Sequence, residues 1–287
     1  MTTTSGAPDV VGVVGGGRMG AGIAHAFLLA GARVTVMERD DEAAAAAKAN
    51  VLASVARSVA RLATTETHDE LIGRFSVTTQ ASDLGAAELV VEAVPEVLAL
   101  KSEILSRVSR ELSGTAWLTS NTSSISIATL ADHVMSPERF GGLHFFNPVP
   151  SSTLVEIVRS ERTAPELVEL STVWVRAIGK TPIVVKDSPG FASSRLGVII
   201  AIEAMRMLEE GVASAADIDA AMVLGYKFLV GPLRLTDVVG LDVRLGIADY
   251  LSQTLGDRFD PPKILREKVA AGQLGRKSGS GFFEWDD

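Results

Sequence analysis

The chain has 287 residues, 47 % of them hydrophobic, with 27 basic against 35 acidic side chains and a net charge of −8. That length suits one large or two medium domains around a sizeable core, and the acidic balance argues against nucleic acid as a partner. The absence of cysteine excludes disulfides and thiolate chemistry, and no apolar run is long enough to suggest a membrane span.

Met1–Pro8 lacks the basic and apolar regions of a signal peptide, so a cytoplasmic setting is expected. Val10–Val14 reads as a buried strand, Arg18–Ala30 as a helix and Arg33–Met37 as the next strand. Between the first two lies Gly15-Gly16-Gly17-Arg18-Met19-Gly20, a G-x-G-x-x-G pattern in the strand–turn–helix context that gives it meaning. Gly15 permits the tight turn, Gly17 lets backbone approach a pyrophosphate, and Gly20 allows close helix–strand packing. Arg18 and Met19 open the helix, whose N-terminus favours an anion. Glu38, at the end of the second strand, is placed to bond ribose hydroxyls and to repel a 2′-phosphate, so NAD is the expected cofactor rather than NADP.

A helix is predicted from Asp41 to about Leu62, and strands at Phe75–Thr78, Leu89–Ala93, Trp117–Ser120, Gly142–Phe146, Val155–Arg159 and Pro182–Lys186. Helical patterns at Val97–Leu112 and Glu166–Ile178 lie between some of these. Such alternation implies an α/β fold with a mainly parallel sheet covered by helices. The pattern changes at Lys186-Asp187-Ser188-Pro189-Gly190, after which only helices are expected: Phe191–Glu210, one capped by Ser214 and Asp217, Leu233–Leu255 and Pro262–Ala271. The boundary therefore falls near residue 187, dividing 1–187 from a smaller all-α domain, 188–287.

Three segments carry a resemblance: Val91-Glu92-Ala93-Val94-Pro95-Glu96 with Lys101, Ser120-Asn121-Thr122-Ser123-Ser124, and Gly142-Leu143-His144-Phe145-Phe146-Asn147-Pro148 leading to Leu154-Val155-Glu156. With Asp187-Ser188-Pro189-Gly190-Phe191, Asp237–Asp242 and Gly275–Phe282 added, nearly the whole chain resembles the 3-hydroxyacyl-CoA dehydrogenase family. The resemblance implies an N-terminal Rossmann-type, doubly wound domain and an all-helical C-terminal domain that binds substrate and dimerises. It implies an acyl-CoA substrate, a (3S)-3-hydroxyacyl thioester with a short acyl group such as 3-hydroxybutyryl. It further implies His144 as catalytic base with Glu156 as its partner, Ser123 and Asn147 orienting the substrate, and Glu96 and Lys101 against the nicotinamide end. Asn121 and Lys277 would be further cofactor contacts.

The residues support this chemistry independently. Taking a hydride from an alcohol requires a base for the hydroxyl proton. Of His25, His68, His133 and His144, only His144 ends a hydrophobic strand at the mouth of a parallel sheet, while His68 reads as lying in a polar loop. Some assignments keep a plainer alternative: Ser123 or Ser124 as a helix N-cap, and Lys101 on a solvated helix face. Ser54, Arg57 and Arg61 recur near helical spacing, either as a polar face toward the ADP part of coenzyme A or as ordinary solvated surface. Two departures flank the implied substrate cleft: Ser194 stands where the family often has asparagine, and Ser151-Ser152-Thr153 is smaller and more polar than usual. Ser194 either faces substrate or only caps the helix. No metal is expected. The remaining alternatives are a dehydrogenase of a free hydroxy acid, a sugar acid or an acyl-carrier-protein thioester, and a catalytically silent NAD-binding protein.

Overall fold

A computed structural model describes residues 6–285; most of the N-terminal stretch Met1–Pro8 lies outside them. The chain divides into two compact units, Met1–Asp187 and Ser188–Asp287. Among the described residues no helix is long and apolar enough to cross a membrane.

The first unit is built from strands β1 (Val10–Val14), β2 (Arg33–Met37), β3 (Phe75–Thr78), β4 (Leu89–Glu92), β5 (Trp117–Ser120), β6 (Phe140–Phe145), β7 (Leu154–Arg159) and β8 (Thr181–Lys186). Its helices are α1 (Arg18–Leu29), α2 (Asp41–Ala60), α3 (His68–Ile72), α4 (Leu98–Glu111), α5 (Ile127–Ala131) and α6 (Pro165–Ala177). The strands form one sheet in the order β3-β2-β1-β4-β5-β6-β7-β8, parallel throughout except for the antiparallel pair β6–β7. Strands covered on both faces lose the alternation of half-exposed ones, and β4, β5 and β6 are buried at every position. Chain order reverses between β1 and β4, and ligands of such sheets settle in the crevice outside the carboxyl ends at that point. Gly15, Glu92, Asn121 and His144 all lie at or just past the carboxyl ends of parallel strands, which places them along one edge of the sheet.

Two local expectations change. His68 is not in a loop; it opens α3, whose N-cap Thr67 forms a reciprocal capping box with Glu70, because the hydroxyl and the carboxylate each satisfy an orphan backbone N–H. Neither Ser123 nor Ser124 caps α5. That position belongs to Ser126, which accepts from Thr129 N at 3.3 Å and donates to Asp187 Oδ2 at 2.7 Å.

The second unit contains α7 (Ser193–Glu209), α8 (Ala215–Ala220) running into a π-helical turn at Ala221–Gly225, α9 (Pro232–Val239), α10 (Leu241–Leu255) and α11 (Lys263–Ala270). Ser214 caps α8 as expected, accepting from Asp217 N at 3.2 Å. The stretch Leu233–Leu255 is broken in two at Gly240, where φ is +106°, a conformation that disfavours any residue with a Cβ. Ala201, Met205, Ile218, Leu233, Leu241 and Leu265 form its core. Buried Asp237 fastens the last residues to α9, accepting from Phe282 N at 2.8 Å and from Phe283 N and Trp285 Nε1 at 2.9 Å.

Arg244 breaks the apolar stripe of α10. It is 7 % exposed, lies against Gly197 of α7, and its Nε has no hydrogen bond among the described residues. Desolvation pushes its pKa down to about 10, the mark of a cation held at a cost. Arg244→Met is therefore expected to leave stability unchanged or to raise it, by no more than about 4 kcal/mol, the upper end seen when buried ion pairs are replaced by well-packed apolar side chains. Thermal melting checks this, and a lower Tm would mean that an anionic partner offsets the charge.

Candidate active site

The turn between β1 and α1 is shaped by its glycines. Gly15 has φ +90° and donates its N–H to Met37 O at 2.8 Å. A Cβ at Gly20 would fall on the carbonyl oxygen of Gly15, well inside contact distance. Gly17, the N-cap of α1, makes no side-chain cap, and a Cβ there would meet nothing within 4 Å. The α1 N-terminus, with Arg18 exposed and Met19 half-buried in its first turn, thus presents backbone donors to open space that suits a pyrophosphate. Glu38 Oε1 accepts from Gly16 N at 2.6 Å, which ties the acid at the end of β2 to this turn. A dinucleotide fits these residues: phosphates on Gly15–Gly20, ribose on Glu38. Glu38→Ala is expected to weaken NADH binding by about tenfold, the scale of hydrogen bonds to a charged group. It is also expected to narrow the preference over NADPH; an unchanged NADH/NADPH ratio of kcat/KM would remove Glu38 as the selector.

At the far side of the switch point, His144 and Glu156 are directly paired across the antiparallel β6–β7 ladder. Opposed residues of such a pair project to the same face, and here Nδ1 of His144 meets Glu156 Oε2 at 2.7 Å. Glu156 is fully buried and His144 is 6 % exposed. With Nδ1–H donating to the carboxylate, Glu156 fixes the tautomer and orientation of the ring. Among the described residues no other histidine has a buried carboxylate partner. His25 is buried beside Ser58 Oγ at 2.9 Å, and desolvation, then the charges of Arg57 and Lys180, lower its pKa, which suits packing.

Asn121, just past β5, accepts from Phe145 N at 2.8 Å through Oδ1 and so fastens this loop next to His144. The following Ser123 and Ser124 are bound by Glu96, whose Oε1 accepts from both backbone N–H groups at 2.9 Å. Burial alone would raise the Glu96 pKa. The Lys101 charge, the Thr122 hydroxyl and the Ser123 and Ser124 donors outweigh it, and the pKa lies below the usual carboxylate value. Lys101 is not on a solvated face: at 1 % exposure its Nζ lies 2.8 Å from Glu92 Oε1 and 3.3 Å from Glu96 Oε2. Asn147 is exposed, three residues beyond His144.

The structure thus gathers Gly15, Gly17, Gly20 and Glu38 in one cluster and Glu96, Lys101 and Ser123 in another, with Asn121 tied to the strand that carries His144. It does not join Ser54 or Arg61 to either: Ser54 donates to Asn50 O and accepts from Arg57, and Arg61 is an exposed C-cap of α2. In the second unit Ser194 lies in the first turn of α7, and Lys277 pairs with Asp242 at 2.6 Å. Two buried groups escaped the sequence reading. One is Glu92, which lies inside a segment carrying the resemblance but was given no role, its chemical signal being an acid that ends an apolar strand. The other is Lys180, whose Nζ donates at 2.5 Å to the carbonyls of Val149 and Ser152 and holds the loop after Asn147.

A glycine turn with room for a phosphate and a buried histidine–carboxylate pair at the same sheet edge are the kind of equipment that dinucleotide-dependent dehydrogenases use. Residues 10–188 match the 3-hydroxyacyl-CoA dehydrogenase NAD-binding domain, and residues 190–285 the C-terminal domain of the same enzymes. A 3-hydroxybutyryl-CoA dehydrogenase of Mycobacterium tuberculosis is 41 % identical over 282 residues, spanning 96 % of this chain and 98 % of its own. The mitochondrial hydroxyacyl-coenzyme A dehydrogenase of Sus scrofa is 37 % identical over 285 residues, spanning 96 % and 90 %. The crystal structure of (S)-3-hydroxybutyryl-CoA dehydrogenase PaaH1 from Ralstonia eutropha superposes with a TM-score of 0.93 at 37 % identity, over 98 % of this chain and 100 % of that one. The chain belongs to the 3-hydroxyacyl-CoA dehydrogenase family. Its cofactor is NAD, and its reaction is oxidoreduction at the CH–OH carbon of a 3-hydroxyacyl-CoA.

Proposed function

We propose that the chain interconverts short-chain (3S)-3-hydroxyacyl-CoA and 3-ketoacyl-CoA, with 3-hydroxybutyryl-CoA as reference substrate. The observation that carries this reading is the buried His144–Glu156 contact at 2.7 Å. Bound NAD supplies the hydride acceptor in oxidation, and NADH the donor in reduction. His144 takes the 3-hydroxyl proton in oxidation and returns it in reduction, while Glu156 stabilises the charged ring. Ser123 and Asn147 hold the substrate oxygens, each as a short polar group on a loop anchored by a neighbour: Glu96 for Ser123, Pro148 onward by Lys180 for Asn147.

Gly15, Gly17, Arg18, Met19, Gly20 and Glu38 hold the phosphate and ribose end of the cofactor; Glu96 and Lys101 serve its nicotinamide end, and Asn121 and Lys277 are further cofactor contacts. Ser194 lies beside the acyl thioester, and Ser54 and Arg61 take the ADP part of coenzyme A. The active form is a homodimer: in the second unit Leu224, Tyr226, Leu229, Val238 and Val243 are 44–99 % exposed, an apolar surface that a second copy would cover. The setting is cytoplasmic and the role is in fatty-acid metabolism. Rates of NADH consumption with acetoacetyl-CoA, longer 3-ketoacyl-CoAs and free acetoacetate test the substrate assignment. Acetoacetyl-CoA is expected to give the highest kcat/KM, and a preference for the free acid would overturn it.

A further inference from the structure

Strand β4 reads Leu89-Val90-Val91-Glu92, three apolar residues and an acid, all buried. A carboxylate in such a place must be paired and hydrogen-bonded to stay charged. Glu92 is both. Its Oε1 accepts from Lys101 Nζ at 2.8 Å and from Val94 N at 2.7 Å, and its Oε2 accepts from Ser120 Oγ at 2.5 Å. Lys101, one turn into α4, also donates to Val94 O at 3.0 Å and lies 3.3 Å from Glu96 Oε2. Glu96 turns its other oxygen outward. Oε1 accepts from Thr122 Oγ1 at 2.6 Å, from Ser123 N and Ser124 N at 2.9 Å, from Ser124 Oγ at 3.0 Å and from Ser123 Oγ at 3.3 Å.

Three charges therefore stand in a line, Glu92–Lys101–Glu96, with the inner acid sealed beneath the strand ends and the outer acid gripping the loop that carries Ser123. A cation between two carboxylates is shared. Removing the inner one leaves Glu96 as its sole anionic partner, and the attraction, strong where water is excluded, draws Glu96 toward Nζ and away from the loop. We propose that Glu92 is a positioning residue: by holding Lys101 back from Glu96 it leaves Glu96 extended to Ser123 and Ser124, and so sets the substrate-facing hydroxyl and the nicotinamide-side carboxylate together. The role of Ser123 toward substrate rests on the function proposed above; the ladder itself does not.

Glu92→Gln keeps the shape and removes the charge. It is expected to lower kcat for acetoacetyl-CoA reduction by between about tenfold and a hundredfold, the scale of a misplaced substrate contact. It is also expected to raise the Kd of NADH, read by fluorescence titration, by roughly threefold or more. In a Lys101→Met background the same substitution is expected to change kcat less than about twofold, because residues acting through one another are not additive. Wild-type kcat and Kd with only a lower Tm would show a purely structural Glu92, and additive effects with Lys101→Met would show that it does not act through the lysine; either overturns the proposal. If Glu92→Gln fails to fold, Ser120→Ala loosens the same carboxylate while keeping its charge. A kcat lowered about threefold or more with Tm nearly unchanged supports the role, and wild-type kcat refutes it. A wild-type chain without turnover on any 3-ketoacyl-CoA would defeat the proposed function instead, and the NADH titration would still read the ladder.

Discussion

His144→Gln is expected to lower turnover by roughly two to four orders of magnitude, the range for a lost general base, while NADH binding and the melting temperature stay close to wild type. The glutamine amide keeps a donor toward Glu156, so the buried carboxylate retains a hydrogen bond in place of the one at 2.7 Å. What is lost is the ring nitrogen that takes the hydroxyl proton. The effect should fall on kcat and kcat/KM alike, as for an interaction made in the transition state. Turnover within a few-fold of wild type would remove His144 from the proton path.

Gly20→Ala is expected to be the most damaging single change in the cofactor turn. The added methyl falls on the carbonyl oxygen of Gly15, and both atoms belong to rigid backbone: Gly15 is tied to Met37 O by its N–H, and Gly20 is fixed in the first turn of α1. Relief requires α1 to move away from β1, which carries the donors off the phosphate position. The Kd of NADH is expected to rise at least about tenfold and stability to fall by about 1–3 kcal/mol, the usual cost of overpacking. Gly17→Ala, where a Cβ meets nothing in the protein, is the control: stability should hold and only cofactor binding should suffer. Normal NADH affinity in Gly20→Ala would refute the assigned turn.

The sheet was readable because its strands are short apolar runs bounded by turn residues and alternate with helices; their order within it was not. The pairing of His144 with Glu156 was readable only through the resemblance; the antiparallel register that opposes them depends on how β7 returns after Pro148, which a linear pattern does not show. Burial of charge was the least visible feature. Lys101 fits a solvated helix face, and only the acid at the end of β4 shows why it is inside. Glu92 in turn has no meaning until α4 packs behind it. Similarly, Thr67 and Glu70 spelled a capping box beside a histidine that reads as loop, and the break at Gly240 was hidden because helical pattern continues on both sides of it. Lys277 and Asp242, which lie 35 residues apart in sequence, pair in space.

The most direct measurement is the consumption of NADH by the wild-type chain on addition of acetoacetyl-CoA, with the configuration of the product determined. One NADH is expected to be consumed for each (3S)-3-hydroxybutyryl-CoA formed. Binding of NADH without turnover of acetoacetyl-CoA or any longer 3-ketoacyl-CoA would contradict the reaction assigned to the His144–Glu156 site.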